Sequence, residues 1–192
     1  MKEILFATNN LHKLREVREI VGASFRIVGL AEAGLYEEIP ETQDTIEGNA
    51  IQKARFVYEK TGMDCFADDT GLEIAGLDGR PGVMSARYAG EGCTFDDNID
   101  KVLAELGDRE DRSACFRCVI CLIMNGEEHL FEGRIDGAIT RGRKGPGGFG
   151  YDPVFLPDGH TQTFAEMPPY LKNGISHRGR ATARLLNWLK KK

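Results

Sequence analysis

A chain of 192 residues, 41% hydrophobic and 29% charged, suits one globular domain, or one domain split into two lobes around a cleft. Thirty acidic against 25 basic residues leave a net charge of −5, which excludes the broad basic face of a nucleic-acid binder but allows local basic clusters on a small anion. Apolar runs are too short to cross a bilayer, and the start MKEILFATNN carries Glu3 in a brief apolar stretch, so the expectation is a single cytoplasmic domain over 1–192 with no membrane partner.

In chain order, KEILFA (2–7) reads as a short buried strand and TNN as a turn. LHKLREVREIVG (11–22) reads as a helix with Leu11, Leu14, Val17, Ile20 and Val21 on one side and Gly22 as its stop. Residues 24–29 suggest another strand and 30–44 a polar connection. Over 45–61, Ile46, Ala50, Ala54 and Val57 recur at helical spacing before Gly62. DCFAD (64–68) is a strand that runs into a turn at FADDTGL (66–72), and 76–92 is a Gly-rich loop. Thr94 suits the N-cap of a helix burying Ile99, Val102, Leu103 and Leu106, with Gly107 as its end. SACFRCVICLIMNGEEHLFEGRI (113–135) reads as a hairpin turning at Asn125-Gly126. After RGRKGPGGFGYDPVF (141–155) come a loop at Pro168-Pro169 and a last helix from about Gly179 carrying Ala181, Leu185, Trp188 and Leu189. Helices mixed with strands, without repeats or linkers, imply an α/β fold.

The five cysteines, without a secretory context, read as reduced thiols. Cys115, Cys118 and Cys121 have the spacing that opens an iron–sulfur motif. On a strand, however, a step of three residues puts Cys118 on the face opposite the other two, and no fourth cysteine follows, so a metal cluster is not expected.

The chemistry-bearing stretches are individually ambiguous. TNNLHK (8–13) offers backbone N–H groups, a helix dipole and Lys13 to an anion, or simply an N-cap at Thr8 or Asn10. Asn49 and Lys53, four apart, share a helix face and by local evidence form a solvated surface pair, while Glu41 in PETQDT says nothing in isolation. Asp68 and Asp69 are turn residues or metal ligands. GPGGFG (145–150) matches G-x-G-x-x-G, but Pro153 disfavours the helix that a dinucleotide fingerprint must open. What remains is a loop with Phe149 and Tyr151 beside Asp152, whose aromatics either plug a core or stack on a base for about 1–3 kcal/mol. Ser176, His177 and Arg178 precede a helix as cap and solvated arginine, or join Lys172 as donors to an acceptor-rich ligand edge.

Together, TNNLHK, ETQDTIEGNAIQKA, FADDTGL, PGVMSARYAG, GGFGYDPVF and KNGISHRGRA, collinear from Thr8 to Ala181, closely resemble the inosine/xanthosine triphosphate pyrophosphatase family. These enzymes remove deaminated purine nucleoside triphosphates from the nucleotide pool. The resemblance implies an elongated mixed β-sheet flanked by helices, two lobes with an active-site cleft between them, and commonly a homodimer. It puts the phosphate-binding segment on Thr8, Asn9, Asn10 and Lys13, with Lys53 near the phosphates. Its acidic metal positions fall on Glu41 and Asp69; Asp69 also matches the usual proton acceptor and, with the adjacent Asp68 and with Lys53, makes up the catalytic set that the resemblance implies. The nucleoside side falls on Phe149, Gly150, Tyr151, Asp152, Lys172, Ser176, His177 and Arg178. Thr70 stands where the family usually has Ser and keeps the hydroxyl, whereas Gly48 stands where many members have an acid.

That mechanism is physically consistent. A triphosphate with Mg²⁺ needs few protein carboxylates, because phosphate oxygens and water complete the octahedron. Water then attacks the α-phosphorus and pyrophosphate leaves, with Lys13 and Lys53 steadying the anion. Hypoxanthine and xanthine carry an acceptor at position 6 where adenine has an amino group, so donors from Arg178, His177 or Lys172 would favour ITP, dITP and XTP over ATP. A pyrophosphatase for another modified nucleotide and a non-catalytic nucleotide sensor are the other readings; a Rossmann oxidoreductase needs the helix that Pro153 opposes.

Overall fold

The computed structural model describes residues 3–191, so Lys2 of the first expected strand lies outside the described residues. Strands β1 (Glu3–Phe6), β2 (Arg26–Gly29), β3 (Cys65–Ile74), β4 (Pro81–Gly82), β5 (Ser113–Met124), β6 (Glu127–Ile139) and β7 (Phe155–Pro157) build a seven-stranded sheet. Its order is β2-β1-β3-β5-β6-β7, with β4 on β3. β1 runs parallel to both neighbours, while the β3–β4 and β6–β7 pairs are antiparallel. Helices α1 (Leu11–Val21), α2 (Ile46–Thr61), α3 (Phe95–Leu106), α4 (Pro169–Ile175) and α5 (His177–Leu189) accompany it. The α/β class with a mixed sheet and flanking helices is as expected, and no described helix is long and apolar enough to cross a membrane.

The chain divides into two compact units. One comprises the chain up to Asp69, Cys118–Gly133 and the chain from Arg178; the other is Thr70–Arg117 with Arg134–His177. In the first, alternation along the strands sends side chains to two core layers. Ile4, Phe6, Phe66, Cys118 and Ile120 pack with α1 and α5, whereas Leu5, Ala7, Cys65, Ala67, Val119 and Cys121 pack with α2. Cys118 and Cys121 thus face opposite sides, as a strand requires. The second unit gathers Leu72, Ile74, Ile99, Val102, Leu106, Phe116, Phe155 and Phe164 around its own core.

Local signals account for most element ends. Thr94 caps α3 through a reciprocal capping box with Asp97, and Gly107 ends it. Asn125 (φ 51) and Gly126 (φ 81) both take the positive φ that a two-residue hairpin turn needs. Four expectations are corrected. Residues 66–72 make no turn: β3 continues from Cys65 to Ile74 because its side chains are buried on both faces. Leu11, expected on the apolar side of α1, is 75% exposed because it opens the helix before the sheet is reached, leaving Val17 and Val21 to be buried. The stretch at Pro168-Pro169 is not all loop, since Pro169 begins α4, where its fixed φ suits a first helical position. The last helix starts at His177 rather than Gly179.

Candidate active site

Because β3 is a strand at its paired aspartates, neighbouring side chains point to opposite faces. Asp68 follows Phe66 toward the α1 and α5 layer, and Asp69 follows Ala67 toward α2. One dipeptide therefore offers its two carboxylates to different hydrogen-bond partners.

Asp69 meets α2. Lys53 Nζ donates to Asp69 Oδ1 at 3.2 Å and also to Glu41 Oε1, so two carboxylates converge on one ammonium. Asn49 Nδ2 donates to the other Asp69 oxygen at 3.3 Å. Asn49 and Lys53 share a face as their spacing requires, but they are not a solvated surface pair: both are buried, because their face is turned to the sheet and satisfied there by Asp69. The loop that brings Glu41 is fastened to the same helix. Gln43 N donates to Asn49 Oδ1 at 2.9 Å, and Thr42 exchanges two hydrogen bonds with Gln52, at 2.9 and 2.8 Å. Burial opposes the charge on Lys53, yet Asp69 and Glu41 outweigh it and raise its pKa. Burial pushes the Asp69 carboxyl up, against the pull of Lys53 and Lys13.

Asp68, 1% exposed, accepts from Lys13 Nζ and from Arg178 Nε, each at 3.0 Å. Arg178 Nη1 reaches Glu16 at 2.5 Å. Burial works against the Asp68 charge, but Lys13 and Arg178 overcome it and hold the carboxyl well below the usual range. Glu16 was not singled out by sequence, although it lies three residues from Lys13 on the same helix face. Asn10 is the N-cap of α1, its Oδ1 accepting from His12 N at 2.9 Å and Lys13 N at 3.2 Å, and Thr8 Oγ1 accepts from Asn10 N. The capping alternative therefore holds for Asn10, while Asn9 is exposed.

In the second unit, Asp152 organises the aromatic loop. Its Oδ2 accepts from Phe149 N at 2.8 Å and from Lys172 Nζ at 2.5 Å, and the same ammonium sits 4.8 Å from the Phe149 ring centre. Gly148 has φ +75, and a Cβ there would lie 2.2 Å from Asp152 Oδ2, so only glycine fits. The two aromatics differ in burial. Tyr151 is buried, its OH donating to Ser85 O at 2.8 Å, whereas Phe149 is half-buried, beside Gly150 at φ 60. His177 stacks on Phe116 with ring centres 4.5 Å apart, Ser176 ends α4 with its N–H donating to Lys172 O at 2.9 Å, and Thr70 is half-buried in β3. Ser85, absent from the sequence-derived set, also ties β3 to β4 by accepting from Leu72 N at 2.9 Å and donating to Gly82 O at 2.6 Å.

The geometry thus groups Glu41, Asn49, Lys53 and Asp69 in one cluster, Lys13, Asp68 and Arg178 in another, and Phe149, Asp152 and Lys172 in a third. A model of the Ham1 family matches residues 4–188. The chain belongs to the Ham1 family. A relative named dITP/XTP pyrophosphatase from Porphyromonas gingivalis is 54% identical over 190 residues, covering 98% of each chain. One of the same name from Flavobacterium psychrophilum is 50% identical over 188 residues, covering 98% of this chain and 99% of its own. Among solved structures, a HAM1 protein from Coxiella burnetii matches with a TM-score of 0.91 at 41% identity, covering 100% of both chains. These likenesses bear out the family resemblance carried by the motifs, and the solved structure bears out the mixed sheet with its flanking helices.

Proposed function

We propose that this chain hydrolyses deaminated purine nucleoside triphosphates (dITP, XTP and ITP) to the monophosphate and pyrophosphate, as one catalytic domain over 1–192. The class, a nucleoside triphosphate pyrophosphatase, follows from the near full-length relatives of that name. The observation that carries the reading is the convergence of Glu41 and Asp69 on a buried Lys53.

Mg²⁺ fits this donor set. Glu41 and Asp69 lie within reach of one ammonium, which brings two oxygen donors together at one place. Two carboxylates suit a cation whose remaining ligands are water and substrate phosphate. When bound, Mg²⁺ would neutralise phosphate charge and polarise the scissile anhydride. Asp69 would orient the attacking water and accept its proton, Lys53 would hold the two carboxylates and approach the phosphates, and Lys13 would meet the triphosphate with Thr8, Asn9 and Asn10. Phe149 would stack on the purine, Asp152 and Lys172 fixing its loop, with His177 and Ser176 toward the base edge. Cytoplasmic location and a homodimer complete the proposal.

The test is pyrophosphate release from ITP, dITP, XTP, ATP and GTP with and without Mg²⁺. The first three should be preferred, and chelation by EDTA should abolish turnover until Mg²⁺ is restored. Equal release from ATP would overturn the base preference, and undiminished release in EDTA the metal. Lys172→Met should raise the KM for ITP more than it lowers kcat, since it frees the Phe149 loop from its clamp; a change confined to kcat would remove Lys172 from substrate binding.

A further inference from the structure

Glu41 and Asp69 come from separate parts of the chain, a loop and a strand, and nothing in either fixes the distance between them. What joins them is one face of α2. Asn49, Gln52 and Lys53 stand at i, i+3 and i+4 and so project together. Asn49, 1% exposed, holds Asp69 with its amide nitrogen and the Gln43 backbone with its amide oxygen, and so bridges the strand to the loop through one rigid group. Gln52 repeats the attachment one residue earlier in the loop, gripping both the N–H and the hydroxyl of Thr42. The loop also sits tightly on α2: a Cβ at Gly48 would lie 2.9 Å from Gln43 Cβ.

We infer that Asn49 is a positioning residue that sets the spacing and orientation of the Glu41 and Asp69 carboxylates for a divalent cation, with Gln52 as its accessory. The inference rests on the proposed role of those carboxylates. Asn49 touches no phosphate or base in this role. Its amide turns the Asp69 carboxylate by occupying Oδ2, and its second bond keeps Glu41 from drifting with the loop. Groups that orient metal ligands typically change metal affinity or activity by about 10–100-fold when removed.

The experiment compares wild type, Asn49→Ala, Gln52→Ala and Asp69→Asn. Each is measured for kcat and KM with ITP across a Mg²⁺ series, for Tm, and for Mn²⁺ binding in the presence of pyrophosphate by electron paramagnetic resonance. Asn49→Ala should move the Mg²⁺ midpoint upward by about 10–100-fold, recover much of kcat at high Mg²⁺, and weaken Mn²⁺ binding in parallel. Gln52→Ala, at a half-buried side chain, should keep the wild-type Tm more closely and shift both midpoints in the same direction by less. A lowered Tm with unchanged Mg²⁺ and Mn²⁺ midpoints would make Asn49 a packing residue and overturn the inference. Should Asn49→Ala not fold, an unshifted Gln52→Ala would overturn it. Full activity in folded Asp69→Asn would instead overturn the underlying reading of the carboxylates.

Discussion

Asp69→Asn is expected to fold like wild type and to lose about 10²–10⁴-fold in kcat for pyrophosphate release, the usual contribution of a positioned proton acceptor. The amide is nearly isosteric with the carboxylate, so it fills the same place on β3 beside Asn49 and Lys53. It can neither take a proton from water nor offer the same charge to a cation. Lys53 keeps Glu41 as a partner, which limits the structural cost. Far-ultraviolet circular dichroism and Tm report the fold, and a coupled pyrophosphate assay reports turnover. A folded variant with wild-type turnover would remove Asp69 from the reaction.

Its neighbour should behave in the opposite way. Asp68→Asn is expected to cost about 3–5 kcal/mol of stability, because it withdraws the charge opposing two cations, one of them the buried Arg178. For a chain of this size that corresponds to roughly 6–20 °C in Tm. The exposed pair Arg26–Glu3 supplies the control: Glu3→Gln should change stability by about 1 kcal/mol or less, since solvent already screens that pair. A Tm for Asp68→Asn within a degree of wild type would show that the network does not hold α1, β3 and α5 together. Arg178→Met should likewise lower Tm and depress turnover of ITP and ATP together, because its Nε and Nη1 are engaged by Asp68 and Glu16. A selective loss of ITP turnover, roughly ten- to a hundredfold in the ITP-to-ATP ratio of kcat/KM, would instead place Arg178 on the base.

The amino-acid sequence determined the elements whose causes are local. Helical spacing marks α2, a capping box with a terminal glycine marks α3, and Asn125-Gly126 marks the hairpin, because each of these acts within a few residues. Alternation along a strand likewise separated Cys118 from Cys121. The motifs and their order sufficed for the family. Tertiary structure alone decided three things. Asp, Thr and Gly favour turns, so FADDTGL reads as one in isolation, but burial on both faces keeps β3 extended and sends Asp68 and Asp69 to different partners. Polar residues on a helix read as surface, yet the sheet buried Asn49 and Lys53 because Asp69, 20 and 16 residues away, satisfies them. Arg178 reads in isolation as a cap-side or ligand-facing donor, and only the fold delivers Asp68 and Glu16, 110 and 162 residues distant, to its Nε and Nη1. A polar side chain's role is set by what meets it after folding, and partners so far apart in the chain leave no local periodicity to read.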